Sequence, residues 1–235
     1  MEERETDLGQ FPIALMAIVL LVPIVYCVVW KRESLRRTIA LWLLSVAIVA
    51  LYPVVIFAFQ HAGDFGYFLA KFVFFVLLPV ALLMFIEGWS AKTVMINVGV
   101  RRKNLERSIA YGLLAAIAVI AVTVGIRLII GSTSSSIDAS WSVAMFLDAF
   151  TEEFLWRGVF FLYLMTLIDW RVAAGTSIAA VVPAHSLCIG SLFIVATIVQ
   201  VMVLTGVACR TRNITGPWVP PGLSRNIPQM FWAWT

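Results

Sequence analysis

Long apolar stretches constrain the fold of this chain most. A helix needs about 20 apolar residues to cross a bilayer. The 235 residues are 62% hydrophobic and 13% charged, whereas a soluble domain is about half apolar and about a quarter charged. We therefore expect an all-α fold, a polytopic transmembrane helix bundle with seven or eight membrane helices, in an integral, multi-pass protein of the cell membrane. Seven stretches reach or approach the required length: Phe11–Trp30, Ile39–Gln60, Tyr67–Ile86, Ile109–Gly131, Trp141–Ile168, Val172–Gly190 and Leu192–Cys209.

An eighth stretch, Ile214–Trp234, is apolar but interrupted. Proline inside a helix removes a hydrogen bond and bends or breaks the helix. Irregular backbone at membrane depth is tolerated only inside protein or beside a wet cavity. We predict a broken or re-entrant segment here, and whether it crosses the bilayer stays open. The interrupting residues are Pro217, Pro220, Pro221, Gly222, Arg225 and Pro228.

Basic residues alternate from loop to loop. Gln60–Gly66 and Gly131–Ser140 contain no lysine or arginine, whereas basic residues follow the first, third, fifth and seventh stretches. Cytoplasmic loops carry the excess of Lys and Arg, so we expect the N-terminus outside. The net charge of +4 is then a topology signal, with membrane lipid as the predicted partner and no nucleic acid. Lys71 and Arg127 lie near outer helix ends, and we expect both to extend to the membrane surface.

The connection Glu87–Glu106 is the only sizeable cytoplasmic segment. It mixes apolar residues with the basic run Arg101-Arg102-Lys103. This mixture predicts an interfacial segment lying against anionic lipid. A docking site for a partner protein is the alternative.

The fifth apolar stretch contains Asp148, Glu152, Glu153 and Arg157. Each such group costs about 2.5–3.5 kcal/mol near the bilayer centre, so it must pair, line a wet cavity or take part in chemistry. Glu153 precedes Arg157 by four residues, the favourable order for a helical ion pair. Three acids beside one base favour a perturbed carboxyl group, which general acid or base catalysis requires. The alternative is a structural ion pair that fixes helix packing.

His185 lies on the next apolar stretch. The two stretches form a hairpin that turns near Trp170, so Glu152, Glu153 and His185 fall within about 5 Å of one depth if every residue rises 1.5 Å. Carboxylate and imidazole around a water suit general-base hydrolysis. A Glu–Glu–His metal site is the alternative, and we expect no metal and no cofactor, because Arg157 competes for a carboxylate.

These residues resemble the CPBP family, the CAAX prenyl endopeptidases and bacteriocin-processing (Abi) proteins. Its first motif, Glu-Glu-x-x-x-Arg, matches Glu152, Glu153 and Arg157. Its second, Phe-x-x-x-His, matches at His185, although Val181 replaces the phenylalanine. The resemblance covers about residues 95–220. It implies two regions, an N-terminal three-helix membrane region over residues 1–94 and a catalytic-type core over residues 95–235.

The third motif, His-x-x-x-Asn or His-x-x-x-Asp, is incomplete. Its histidine should follow Trp218 and Pro220, yet no histidine follows His185. In the family this histidine and its partner are thought to hold the oxyanion. Ser224 and Asn226 are the candidate replacements for these oxyanion or substrate contacts. His61 lies in an outer loop and is interpreted as a solvated residue.

The resemblance implies an intramembrane endopeptidase that hydrolyses a membrane-anchored or prenylated peptide. Glu152 would activate water, His185 would share that water or its proton, and Glu153 with Arg157 would orient and balance the site. Two alternatives stay open. One is a catalytically degenerate protein on the same scaffold, acting in binding, immunity or secretion. The other is an ion or proton-coupled transporter, since acids within membrane helices also mark ion pathways.

Overall fold

The computed structural model describes residue 15 and residues 17–59, 63–130, 139–186 and 191–224. All regular secondary structure in these ranges is helical, which confirms the all-α prediction for them. The α-helices are α1 Val22–Trp30, α2 Leu35–Phe59, α3 Gly63–Phe72, α4 Leu78–Glu87, α5 Ala91–Asn97, α6 Leu105–Ile130, α7 Ala139–Glu153, α8 Leu164–Leu167, α9 Trp170–Ser186, α10 Ser191–Thr211 and α11 Thr215–Ser224.

The long helices coincide with the apolar stretches found in the sequence. Two uninterrupted helical segments, Phe65–Glu87 and Leu105–Ile126, are long and apolar enough to cross a membrane. Shorter apolar helices occur at Ala17–Trp30, Trp170–Val182 and Thr197–Thr211. The number of membrane crossings and the side on which the N-terminus lies remain predictions.

Two segments wind as π-helix. Val73–Leu77, here called π1, joins α3 to α4, and Phe154–Tyr163, here called π2, joins α7 to α8. All ten residues of π2 are buried, so this segment lies at the centre of the bundle. A π-helix bonds residue i to i+5 rather than i+4 and is most often found near functional sites. Both segments begin close to ionisable residues: π1 begins two residues after Lys71, and π2 begins directly after Glu152–Glu153.

The connection Glu87–Glu106 is packed more deeply than predicted. Ser90 caps α5 by accepting a hydrogen bond from the amide of Thr93 at 3.3 Å. Val94 and Val98 are fully buried, and a Cβ atom on Gly158 would lie only 2.9 Å from the carbonyl oxygen of Val98. The prediction of a segment lying on lipid was therefore incomplete, because its apolar side forms part of the core against π2.

Helices α6 and α11 cross in very close contact. A Cβ atom added to Gly112 would overlap the carbonyl oxygen of Gly216, and one added to Gly216 would overlap that of Ser108. The Ser108 hydroxyl accepts a hydrogen bond from the Gly216 amide at 2.9 Å. Within the predicted broken segment Ile214–Trp234, α11 continues through Pro220 and Pro221. Residues 225–234 lie outside the described part of the chain.

Candidate active site

Lys71 pairs with buried acids, whereas the sequence interpretation expected it to extend to the membrane surface. Its ammonium group donates to Asp148 Oδ2 at 2.9 Å and to Glu152 Oε1 at 2.6 Å. Only 5% of Lys71 is exposed, so it does not extend to the membrane surface as expected. The prediction failed because it considered α3 alone, where a lysine near a helix end has no visible partner. The side chain of Arg127, predicted to behave in the same way, lies outside what the structure describes.

Glu153 and Arg157 form the predicted ion pair. Arg157 Nη1 donates to Glu153 Oε1 at 3.0 Å, and both side chains are buried. Three carboxylates therefore face two cations, whereas the sequence interpretation counted only one. Removing two opposite charges from water is tolerated when they pair closely and their other hydrogen-bonding capacity is met. Within the described residues, no group of histidine, cysteine and acidic side chains is arranged to hold a metal ion.

Lys71 and Asp148 lie at nearly equal distances from the starts of their helices, and comparing these distances indicates that the two can pair. Lys71 lies eight residues after the first residue of α3, and Asp148 lies nine residues after the first residue of α7. If two helices enter the membrane from the same side, side chains at equal distance from their starts lie at one depth. The sequence contains this signal, but it is usable only once α3 and α7 are known to be neighbours.

Glu152, Glu153 and Arg157 line one small cavity. Its other lining residues are Val181 on α9 and Thr197, Gln200 and Val201 on α10. About 40 Å³ of the cavity is open to the centre of a water molecule, and one buried water needs about 10–15 Å³ on this measure. The cavity therefore has room for a water molecule beside both glutamates. Thr197 and Gln200 were missed because polar residues in an apolar helix carry no motif of their own.

His185 lies on α9, one turn beyond Val181. The Ser177 hydroxyl donates to the carbonyl oxygen of Trp156 at 3.1 Å, which fixes α9 antiparallel to π2. Ser177 lies seven residues after Trp170, whereas its partner Trp156 lies fourteen residues before Trp170. The two arms of the hairpin therefore contain unequal numbers of residues. The count by depth assumed an α-helical rise throughout, whereas π2 packs more residues into each turn. The side chain of His185 lies outside the described residues, and its role stays a prediction.

The two replacements proposed for the third motif lie at the end of α11 and beyond it. Ser224 is buried as the last residue of α11, and it is not among the described residues that line the cavity. The Trp218 indole donates to the carbonyl oxygen of Phe146 at 2.8 Å, and a Cβ atom on Gly222 would also meet Phe146. Helix α11 thus packs beside α7 at Phe146, six residues before Glu152. Asn226 lies outside the described residues.

The comparison with protein families identifies the region that holds the site. Residues 135–220 match the family model described as type II CAAX prenyl endopeptidase, Rce1-like. The match begins just before α7 and ends within α11, so it contains the Glu153–Arg157 pair and the cavity lining on α7, π2, α9 and α10, whereas Lys71 lies outside it. No curated protein and no solved structure gives a significant match to the chain.

Proposed function

We propose that the chain is a membrane-embedded endopeptidase that cleaves a membrane-associated peptide, since its residues 135–220 match the family model of type II CAAX prenyl endopeptidases. The observation that carries this proposal is the cavity itself. Two glutamates and an arginine line a space large enough for water, inside an apolar helix bundle. A water-excluding environment strengthens each electrostatic contact made there.

In the proposed reaction, Glu152 takes a proton from a water molecule in the cavity. The resulting hydroxide adds to the carbonyl carbon of the scissile peptide bond, and a tetrahedral oxyanion forms. When this intermediate collapses, the C–N bond breaks and the proton passes to the leaving nitrogen. His185 takes part in moving this proton from the water to the leaving nitrogen. Lys71 holds Glu152 in place through the 2.6 Å contact, and the Glu153–Arg157 pair fixes the other wall of the cavity.

The oxyanion needs a hydrogen-bond donor, and the third-motif histidine is missing. Gln200 lines the same cavity as the two glutamates but from a different helix, α10, and its amide group has two N–H donors. We assign the donor role to Gln200 in preference to Ser224, since Ser224 is not part of the described lining. One oxyanion donor is typically worth about 10²–10³ in kcat.

The substrate is proposed to be a peptide that lies close to a membrane anchor. A site enclosed by membrane helices is accessible to segments held at the bilayer, and a prenylated C-terminal tail is one such substrate. We further propose that seven or eight helices cross the cell membrane, with the N-terminus outside. The region before residue 95 would then support the catalytic core. Helix α3 of that region contains Lys71.

Two observations favour a second candidate, a catalytically inactive protein on the same scaffold. The Lys71 ammonium engages the carboxylate oxygen of Glu152 directly, and the third-motif histidine is missing. Together these features are compatible with a Glu152 that is structural. The protein would then bind its membrane partner without cleaving it.

A cleavage assay separates the two candidates. Purified protein in nanodiscs is incubated with a library of lipid-anchored peptides, and products are identified by mass spectrometry. An active enzyme is expected to give defined fragments that His185→Ala no longer produces. Correctly folded wild-type protein that binds library peptides without cleaving them would establish the inactive candidate and overturn the peptidase proposal.

A further inference from the structure

A second cavity lies away from the glutamates, where the loop after α5 meets the loop after α10. About 130 Å³ of it is open to the centre of a water molecule. The cavity is lined by Ile96, Asn97, Arg101, Leu162, Thr166 and Arg212. Thr166 lies thirteen residues after Glu153, so this cavity is at the opposite end of π2 from the proposed active site.

Backbone contacts fix the two loops to each other. The amide of Ile214 donates to the carbonyl oxygen of Gly99 at 3.1 Å. The Asn213 side chain donates to the carbonyl oxygen of Arg101 at 2.6 Å. Asn213 is fully buried, so these contacts are shielded from water. The backbone positions of Arg101 and Arg212 are therefore set by the fold, while the Arg212 side chain is exposed at the mouth of the cavity.

Two positive charges meet in this cavity without a carboxylate. Among the described residues, no acidic group forms an ion pair with Arg101 or Arg212. The buried Nε of Arg101 has no hydrogen-bond partner in the described structure, and Arg212 Nη1 contacts only the weak acceptor Met165 Sδ, at 3.0 Å. Burial, and secondly the charge of Arg212, lower the pKa of Arg101.

Arg212 also has a backbone conformation that its residue type disfavours. Its φ angle is +54°, in the left-handed region that non-glycine residues rarely adopt. A strained position beside an uncompensated pair of like charges costs stability, and such features are concentrated at binding sites. Guanidinium groups recognise phosphate oxygens through paired N–H donors.

We propose that this cavity, here called the Arg101–Arg212 pocket, binds the phosphate group of an anionic membrane lipid. The loops that form it are basic, and basic loops are expected on the cytoplasmic side, where anionic headgroups are concentrated. The lipid anion supplies the negative charge that the described lining of the pocket lacks. The proposal does not depend on peptidase activity, because it concerns a separate cavity.

Lipid binding to the full-length protein tests the pocket. Purified protein is titrated with short-chain phosphatidylglycerol, phosphatidylcholine and inorganic phosphate, and bound species are counted by native mass spectrometry. Phosphatidylglycerol is expected to bind in preference to phosphatidylcholine. Each of Arg101→Gln and Arg212→Gln should weaken this binding about fivefold, from about 1 kcal/mol per basic residue near an anionic surface.

Arg102→Gln is the matched control, since Arg102 is exposed and lies outside the pocket lining. An equal loss of affinity in Arg102→Gln would overturn the proposal. Unchanged affinity in the double variant Arg101→Gln/Arg212→Gln would overturn it too. Binding of inorganic phosphate that matches phosphatidylglycerol would assign the pocket to a soluble phosphate compound and overturn the lipid source. Arg101→Lys/Arg212→Lys should keep part of the affinity, which separates lost charge from misfolding.

Discussion

Lys71 determines the charge balance of the acidic cluster. With it, the described cluster has three carboxylates and two cations, and Glu152 is held against α3. The same lysine is a contact between the N-terminal region and the family region at residues 135–220. The proposed general base is thus positioned by a residue outside the matched segment.

Removing this lysine leaves two buried acids without their cation. We expect Lys71→Met to lower the free energy of unfolding by about 3–5 kcal/mol, the usual cost of breaking a buried ion pair from one side. Unfolding in detergent, followed by circular dichroism, measures the change. Lys31→Met removes an exposed lysine 3.9 Å from Glu33 and should change stability little. Equal stability of the two variants would contradict the buried pairing.

Gln200 is the residue on which the proposed oxyanion contact depends. We expect Gln200→Leu to lower kcat about 10²–10³-fold while KM changes little, because the contact forms only in the transition state. Met202→Ala, on the exposed side of the same helix, serves as the control. A Gln200→Leu enzyme with wild-type kcat would return the donor role to Ser224 or Asn226.

At the scale of single residues, the sequence predicted side-chain contacts only within one helix. The Glu153–Arg157 pair was predictable because helical geometry places residues four apart side by side. The Lys71 contacts and the cavity-lining Gln200 join helices that are distant in the chain. No local pattern encodes such contacts, since they depend on which helices pack together.

Segment π2 positions the site at the scale of secondary structure. It begins directly after Glu153 and is buried along its whole length. Because π2 packs more residues into each turn, it shortens one arm of the hairpin with α9. The residue of α9 that faces Glu152 then differs from the one that an α-helical rise predicts. The apolar periodicity of an α-helix gave correct helix locations, but it could not reveal the π winding, which arises from packing inside the bundle.

The crossing of α6 and α11 gives a prediction about helix packing. Gly112→Ala should destabilise the protein by about 1–3 kcal/mol, the usual cost of overpacking, because its Cβ atom would overlap Gly216. Gly125 lies on the same helix with nothing within 4 Å of an added Cβ atom. Gly125→Ala should therefore raise stability by about 0.5–1 kcal/mol. Thermal unfolding of both variants measures the difference, and destabilisation by both would contradict the packing described.

At the scale of the whole molecule, the described loop arginines Arg101 and Arg212 and the acidic cluster line two different cavities. Apolar length was sufficient to predict that the described residues are helical and where their long helices lie. They could not predict that Glu87–Glu106 folds into the core, because its mixed composition also suits a membrane surface. The match at residues 135–220 supports the family assignment, while the boundary proposed at residue 94 stays a prediction.

Topology can be measured by labelling single cysteines in intact cells. In a background lacking Cys27, Cys188 and Cys209, we expect Ala139→Cys to react with a membrane-impermeant maleimide from outside. Arg102→Cys should react only after the cells are lysed. Both positions are exposed, so accessibility reports the side of the membrane. The reverse pattern would contradict the proposed orientation without affecting the active-site assignment.

The central claim is that Glu152 activates a water molecule for peptide hydrolysis. Its most direct test is the cleavage rate of a lipid-anchored peptide by Glu152→Gln in nanodiscs, beside wild type and the exposed control Glu106→Gln. Glutamine keeps the shape of the side chain but cannot act as a base, so we predict a rate at least about 10²-fold lower. Glu106→Gln should retain the wild-type rate. Full activity in Glu152→Gln would contradict the claim.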